Sequence, residues 1–240
     1  LVIGNDDYAT YPDLASAGAD ARKVAEVLKR RYGFQARVLV NASRFDILSA
    51  LNEYRETLGA EDNLIIYFAG HGEIDPRSKE GYWVPVDGRA DDSGTWISNR
   101  AISDILNTMQ ARHVMVVADS CYSGAMTRAS VPAFNPALSD AQWSQWVSDR
   151  AASRSRTALT SGGLAPVPDS ASDGRSLFAQ AFVTALEDNN SLLAGQRLFR
   201  EVSLSLAMAA TEASLPQAPE YAPIQFAGHE AGEFFFQPKG

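Results

Sequence analysis

Two short segments, Asn63-Leu-Ile-Ile-Tyr-Phe-Ala69 and His113-Val-Met-Val-Val-Ala118, are apolar almost without interruption. A strand with one wet face alternates apolar and polar residues. These do not, so both of their faces must be covered, as in a parallel sheet flanked by helices. Leu1-Val-Ile3 reads the same way. The first long run leads into Gly70-His71-Gly72 and the second into Asp119-Ser120-Cys121, fifty positions further on. In an open parallel sheet, ligands bind beyond the carboxyl ends of the strands. The two runs therefore predict that an imidazole and a thiol face one rim.

The segments between these runs carry helical periodicity. Ala19 to Tyr32 places Ala21, Val24, Ala25 and Leu28 on one face, with Gly33 as its stop. Ser43 suits the N-cap of a helix ending near Leu58 and Gly59. Asn99–Met109, Ser176–Leu186 and Gly195–Ala210 read as further helices. Ala36–Val40 and Thr157–Thr160 read as strands. Gly81–Val86 reads as a hairpin or edge segment, because Pro85 is unwelcome in a central strand. Tyr221–Phe226 and Phe234–Phe236 are late strands or edges. The stretch 125–156, with Pro132, Pro136 and many small polar residues, reads as a variable loop. Trp143 and Trp146 imply that part of it packs.

The 240 residues suffice for a substantial core, with 45% apolar and 21% charged residues, the balance of a soluble globular protein. No apolar stretch is long enough for a membrane helix. A net charge of −8 argues against nucleic acid as the main partner. One cysteine excludes an internal disulfide and fits a reducing, cytoplasmic setting. The chain begins inside an apolar run without Met, which suggests a domain with others fused to it.

A cysteine needs thiolate character to attack a carbonyl, and a nearby imidazole supplies it. His71 is thus the candidate base and Cys121 the candidate nucleophile. The backbone N–H groups of Gly72 and Cys121 are the natural oxyanion donors. The competing reading, a buried structural thiol, fits poorly with a cysteine in a turn between a strand and a Ser/Gly-rich loop. His113, opening a strand, reads as structural. His229 lies too far along the chain to displace His71. Trp83 and Trp96 fit core or lid packing better than a cleft.

The paired motifs Tyr67-Phe-Ala-Gly-His-Gly72 and Ala118-Asp-Ser-Cys-Tyr-Ser-Gly124 resemble those of the caspase-like cysteine peptidases, the clan of caspases, metacaspases and bacterial relatives. Supporting similarity runs through Leu1–Tyr8, Leu14–Leu28, Gly81–Asp87, Leu159–Gly163 and Pro219–Phe236. The resemblance implies an α/β, caspase-like fold with a mainly parallel sheet of about six strands. It also implies one peptidase domain over 1–240: a large-subunit-like part (1–124), a variable or processing region (125–156) and a small-subunit-like part (157–240).

Asp119 and Asp20 match acidic positions of the metacaspase specificity pocket, which implies cleavage after Arg or Lys of a peptide or protein substrate. The competing readings are local turn bonding for Asp119 and complementing a helix dipole for Asp20. Ala69 and Ala17 depart from the serine and cysteine common in metacaspases. Asp6 and Asp7 could add acidity to the rim or simply shape a turn. Asp75, Asp87, Asp91 and Asp92 have no calcium-loop spacing, so neither a metal nor another cofactor is expected. Arg128, Arg150, Arg154 and Arg156 are candidate self-cleavage sites, or a solvated loop. Asp-specific cleavage and a catalytically silent scaffold stay open as alternatives. Monomer and dimer are both compatible with the sequence.

Overall fold

The computed structural model describes residues 1–120, 126, 139–162, 175–213 and 219–239, with the backbone alone for 210–213. In chain order the elements are β1 (Val2–Gly4), α1 (Ala17–Tyr32), β2 (Val38–Val40), α2 (Arg44–Thr57), β3 (Asn63–Ala69), β4 (Gly72–Ile74) and β5 (Gly81–Trp83). A single 3₁₀ turn, Ser93–Thr95, precedes β6 (Ile97–Ser98), α3 (Asn99–Thr108) and β7 (His113–Asp119). Then come α4 (Asp140–Ala152), β8 (Ser155–Thr160), α5 (Leu177–Asp188), β9 (Leu193–Ala194), α6 (Gly195–Ala213), β10 (Glu220–Pro223) and β11 (Phe235–Phe236).

The central sheet has six strands in the order β10-β8-β7-β3-β1-β2. Every pairing is parallel except that of β10 with β8. Its two faces explain the uninterrupted apolar runs. Along β3, Ile65, Tyr67 and Ala69 join a core made with α1, α5 and α6. Leu64, Ile66 and Phe68 point the other way, into a core made with α2 and α3. β7 divides likewise, Met115 and Val117 to one side and Val114 and Val116 to the other. Burying each such side chain stabilises the fold by about 1.5–3 kcal/mol, so neither face tolerates a polar residue without a partner.

Capping fixes the helix ends where the sequence expects it. Ser43 and Asp46 form a reciprocal capping box on α2. Gly33 ends α1 at φ +79, a left-handed conformation that costs glycine nothing. Trp83 is core, stacked on Phe68 at 4.4 Å and 3°. Trp96 is half-buried and donates from Nε1 to the Arg89 carbonyl at 2.9 Å.

Two expectations are sharpened and a third needs correction. The segment Gly81–Val86 does enter a hairpin, β5 with β4, and β6 extends it to a three-stranded antiparallel sheet. Phe234–Phe236 contributes the late strand β11, which pairs with β9 away from the central sheet. Within 125–156 lie α4 and the first two residues of β8, so that region is not all loop. Trp143 and Trp146 stack on each other at 5.2 Å, and Phe235 meets Trp146 edge-on.

The third point removes candidate cleavage sites. Arg156 is fully buried in β8. Its guanidinium donates to the carbonyls of Leu106, Met109, Ala111, Arg112 and Ser155, at 2.8–3.1 Å. Burial lowers its pKa to about 9, with Arg154 as the second cause. Arg154 donates to the carbonyls of Leu106, Asn107 and Met109 at the end of α3. Its own carbonyl accepts from Glu230 and Gly232 N–H. Arg150 sits in α4 and donates to the Ala231 carbonyl at 2.5 Å. None of the three offers the folded chain an extended, accessible peptide bond. Arg128 lies outside the described residues.

A buried acid joins the C-terminal elements. Glu233 accepts from Phe234 N–H at 2.8 Å and from the Tyr221 hydroxyl. Burial raises its pKa to about 7, against the pull of these bonds, of Arg150 and of the Gln196 N–H at the start of α6. The folded chain thus holds a proton that the unfolded chain has released. Stability from the neutral carboxyl is complete below the ordinary carboxylate range and is lost as pH rises through 7. Glu233→Gln should abolish that loss. Measured by denaturant unfolding between pH 5 and 8, the wild type should fall relative to the variant by up to ~3 kcal/mol. Parallel pH profiles for the two proteins would disprove it.

Candidate active site

β3 and β7 run in register from Asn63 opposite His113 to Ala69 opposite Asp119. Gly70 N–H continues the ladder to the Asp119 carbonyl at 3.4 Å. The residues that follow each strand, Gly70 on one side and Ser120 on the other, therefore leave the sheet at the same level, with His71 one position beyond Gly70. Cys121 lies outside the described residues, so the Cys–His distance is not defined.

His71 is held at every polar handle but one. Its N–H donates to the Tyr8 hydroxyl at 2.9 Å, and its carbonyl accepts from Val84 N–H at 3.0 Å. Its Nε2 is 2.7 Å from the Pro12 carbonyl. A carbonyl can only accept, so Nε2 carries hydrogen and Nδ1 is left for chemistry. The ring also packs edge-on against Tyr8 at 4.7 Å and tilted against Tyr11 at 5.3 Å. Gly70 is required by this packing. A Cβ there would sit 2.6 Å from the Tyr8 hydroxyl oxygen. Burial pushes the Tyr8 phenol well above its ordinary value, against the bond from His71 N–H, so it stays neutral.

Gly72 opens β4 opposite Trp83. The bond from Val84 N–H to the His71 carbonyl makes this a non-hydrogen-bonded pair, in which the Gly72 N–H points away from β5. The β4–β5 ladder therefore leaves that N–H unused. The Cys121 N–H, the second expected donor, is outside the described residues.

The acids of the expected pocket come together. Asp20, in the first turn of α1, and Asp119, the last residue of β7, are both buried. Asp20 Oδ2 accepts from the Ser16 hydroxyl at 2.8 Å and from Ser176 N–H at 3.1 Å. Asp119 Oδ2 accepts from the Ser176 hydroxyl at 2.5 Å. Asp20 is thus more than a dipole-complementing acid, and Asp119 bonds across the fold rather than within a turn. Burial, then the charges of Asp119 and Asp20, hold the Tyr67 phenol far above its ordinary range.

Other candidates resolve differently. Asp6 accepts Gly18 N–H at 3.0 and 3.1 Å, and Asp7 accepts from Asn41 Nδ2 at 2.7 Å, so these acids tie the loop after β1 to the start of α1 and to the end of β2. Asp75, Asp87 and Asp92 accept nearby backbone N–H groups from Arg77, Arg44 and Gly94. Among the described residues no group of three or more His, Cys, Asp or Glu is placed to hold a metal ion. His113 bonds Ser155 and the Ala151 carbonyl, and burial lowers its pKa. His229 Nδ1 accepts Arg156 N–H at 3.1 Å. No helix among the described residues is long and apolar enough to cross a membrane.

Tyr8, Tyr11, Pro12, Tyr67 and Ser176 were not foreseen from the sequence. Pro12 acts through its carbonyl, which no side-chain pattern marks. Ser176 was legible as a helix start, but its partners lie 57 and 156 positions away.

Against known proteins, the sequence model of the family described as caspase domain, peptidase C14, matches residues 1–226. No curated protein sequence matches. Among solved structures, caspase-1 from Spodoptera frugiperda aligns with a TM-score of 0.64 at 14% identity, covering 92% of this chain and 84% of that one. Protein GSU0716 from Geobacter sulfurreducens aligns with a TM-score of 0.58 at 14% identity, covering 95% of each chain. At such identity these two establish the caspase-like fold and nothing more.

The Pro12 contact has a spectroscopic consequence. Neutral His71 should populate the Nε2–H tautomer, visible in a long-range ¹H–¹⁵N correlation spectrum. A dominant Nδ1–H form would contradict the assignment.

Proposed function

The chain belongs to the caspase-domain peptidase family, and within it we propose a cysteine endopeptidase that cleaves after arginine or lysine. Cys121 is the nucleophile and His71 the base. The observation that carries the specificity is the pair of buried carboxylates, Asp20 and Asp119, tied to one residue beside the strand ends. Buried like charges repel, and a cation entering between them relieves that cost and gains charge-assisted bonds. An aspartate side chain would bring a third negative charge. That weighs against the Asp-specific alternative. A silent scaffold has no need of a His71 pinned at three polar atoms.

In this reading the Cys121 sulfur, deprotonated by His71, attacks the scissile carbonyl carbon. The carbonyl electron pair moves to oxygen, where the N–H groups of Gly72 and Cys121 receive it. The C–N bond then breaks as His71 Nδ1 delivers the proton to the departing amine. Water, losing a proton to Nδ1, hydrolyses the thioester and restores the thiol. The Pro12 carbonyl keeps the imidazole in position. The scheme needs no metal or other cofactor, and its partners are peptide or protein substrates. Control by fused domains is part of the same proposal.

Fluorogenic peptide amides ending in Arg, Lys or Asp test it, assayed with and without calcium. The wild type should hydrolyse the Arg and Lys substrates at least about 100-fold better than Asp, as expected for replacing a charge pair by a repulsion. Cys121→Ala should lose at least about 10³-fold in kcat/KM. Undiminished hydrolysis by that variant, or a preference for Asp, would refute the proposal.

A further inference from the structure

Ser176 stands where the two carboxylates meet. It is buried, it is the N-cap of α5, and it serves three partners at once. Its N–H donates to Asp20 at 3.1 Å. Its hydroxyl oxygen accepts Ala179 N–H at 3.3 Å, closing the first turn of the helix. A hydroxyl has one hydrogen, and that hydrogen goes to Asp119 at 2.5 Å. Asp20 arrives on α1 and Asp119 on β7, with Ser176 on a third element.

A second observation points to a ligand at that place. The Tyr67 hydroxyl is fully buried and has no hydrogen-bond partner among the described residues, yet it lies within the field of both carboxylates. Buried polar atoms are rarely left unsatisfied in a finished arrangement. Its oxygen can accept from a guanidinium or ammonium N–H that the two acids also hold.

We propose that Ser176 is a specificity-determining positioning residue, which fixes the Asp20 and Asp119 carboxylates so that together they receive one basic side chain. The inference rests on the peptidase reading above and adds to it a residue from α5. It acts on substrate affinity and not on bond breaking, because no hydrogen bond joins it to His71 among the described residues. Its role as a helix cap alone would give a different pattern.

Steady-state kinetics of Ser176→Ala and Ser176→Thr separate the two roles, read with Arg- and Lys-ending amides. Losing a hydrogen bond to a charged group should raise KM about 10-fold or more, with kcat within about 2-fold of wild type. Ser176→Thr, which keeps the hydroxyl, should restore KM. Alkylation of Cys121 by uncharged iodoacetamide should proceed at the wild-type rate in both. Should Ser176→Ala fail to fold, Ser176→Gly serves, since glycine is nearly as good an N-cap and has no hydrogen to give Asp119. An unchanged KM in a folded variant would overturn the proposal. So would a loss confined to kcat, or one accompanied by slower alkylation. A wild type inert to Arg and Lys amides would instead overturn the peptidase reading itself.

Discussion

The parallel register of β3 against β7 is the constraint from which the rest of this structure follows. It brings Ala69 level with Asp119 and lets Gly70 bond across to the Asp119 carbonyl. A one-residue slip would turn Tyr67 and Phe68 to the wrong cores and carry His71 out of level with the end of β7. The register is secured from both faces, since each strand sends alternate side chains into two separate cores. Chemistry at the rim is thus anchored by apolar packing far from it.

How much of this the sequence disclosed depends on how local the signal was. β3 and β7 announce themselves as apolar runs, and α1 and α2 by periodicity and end residues. Helix α4 does not, because none of its residues is buried and no apolar stripe marks it. β4 is three residues long, too short for any pattern. The polar start of β8 hid a strand, since a buried arginine is tolerable only where carbonyls surround it. Arg156 finds five, supplied by the end of α3, the residues after it and its own strand. That environment is visible only once the chain has folded. At the site, His71, Gly72, Asp20 and Asp119 could be named from motifs. The residues that position them could not, because a backbone carbonyl and two long-range hydroxyls leave no trace in spacing.

Burying two carboxylates near each other is costly, and the structure shows how the cost is contained. Ser16 and Ser176 give hydrogen bonds to Asp20, and Ser176 gives a second one to Asp119. Each bond to an ionised group is worth about 1.5–3 kcal/mol, which offsets part of the desolvation penalty of several kcal/mol per ion.

The loop between β1 and α1 serves both halves of the site. Tyr8 and Pro12 hold His71, while Asp6 accepts the Gly18 N–H at the start of α1 and Ser16 bonds Asp20. Tyr8 N–H is tied back to Asp13, and Leu14 N–H to the Asp6 carbonyl, so the loop is cross-braced within itself. His71 and Asp20 are therefore positioned by a single short stretch of chain. Under the proposed function, displacing that stretch would disturb turnover and affinity together, whereas Ser176 braces the two acids and the start of its own helix. The separation is physical: one support is shared, and the other is not.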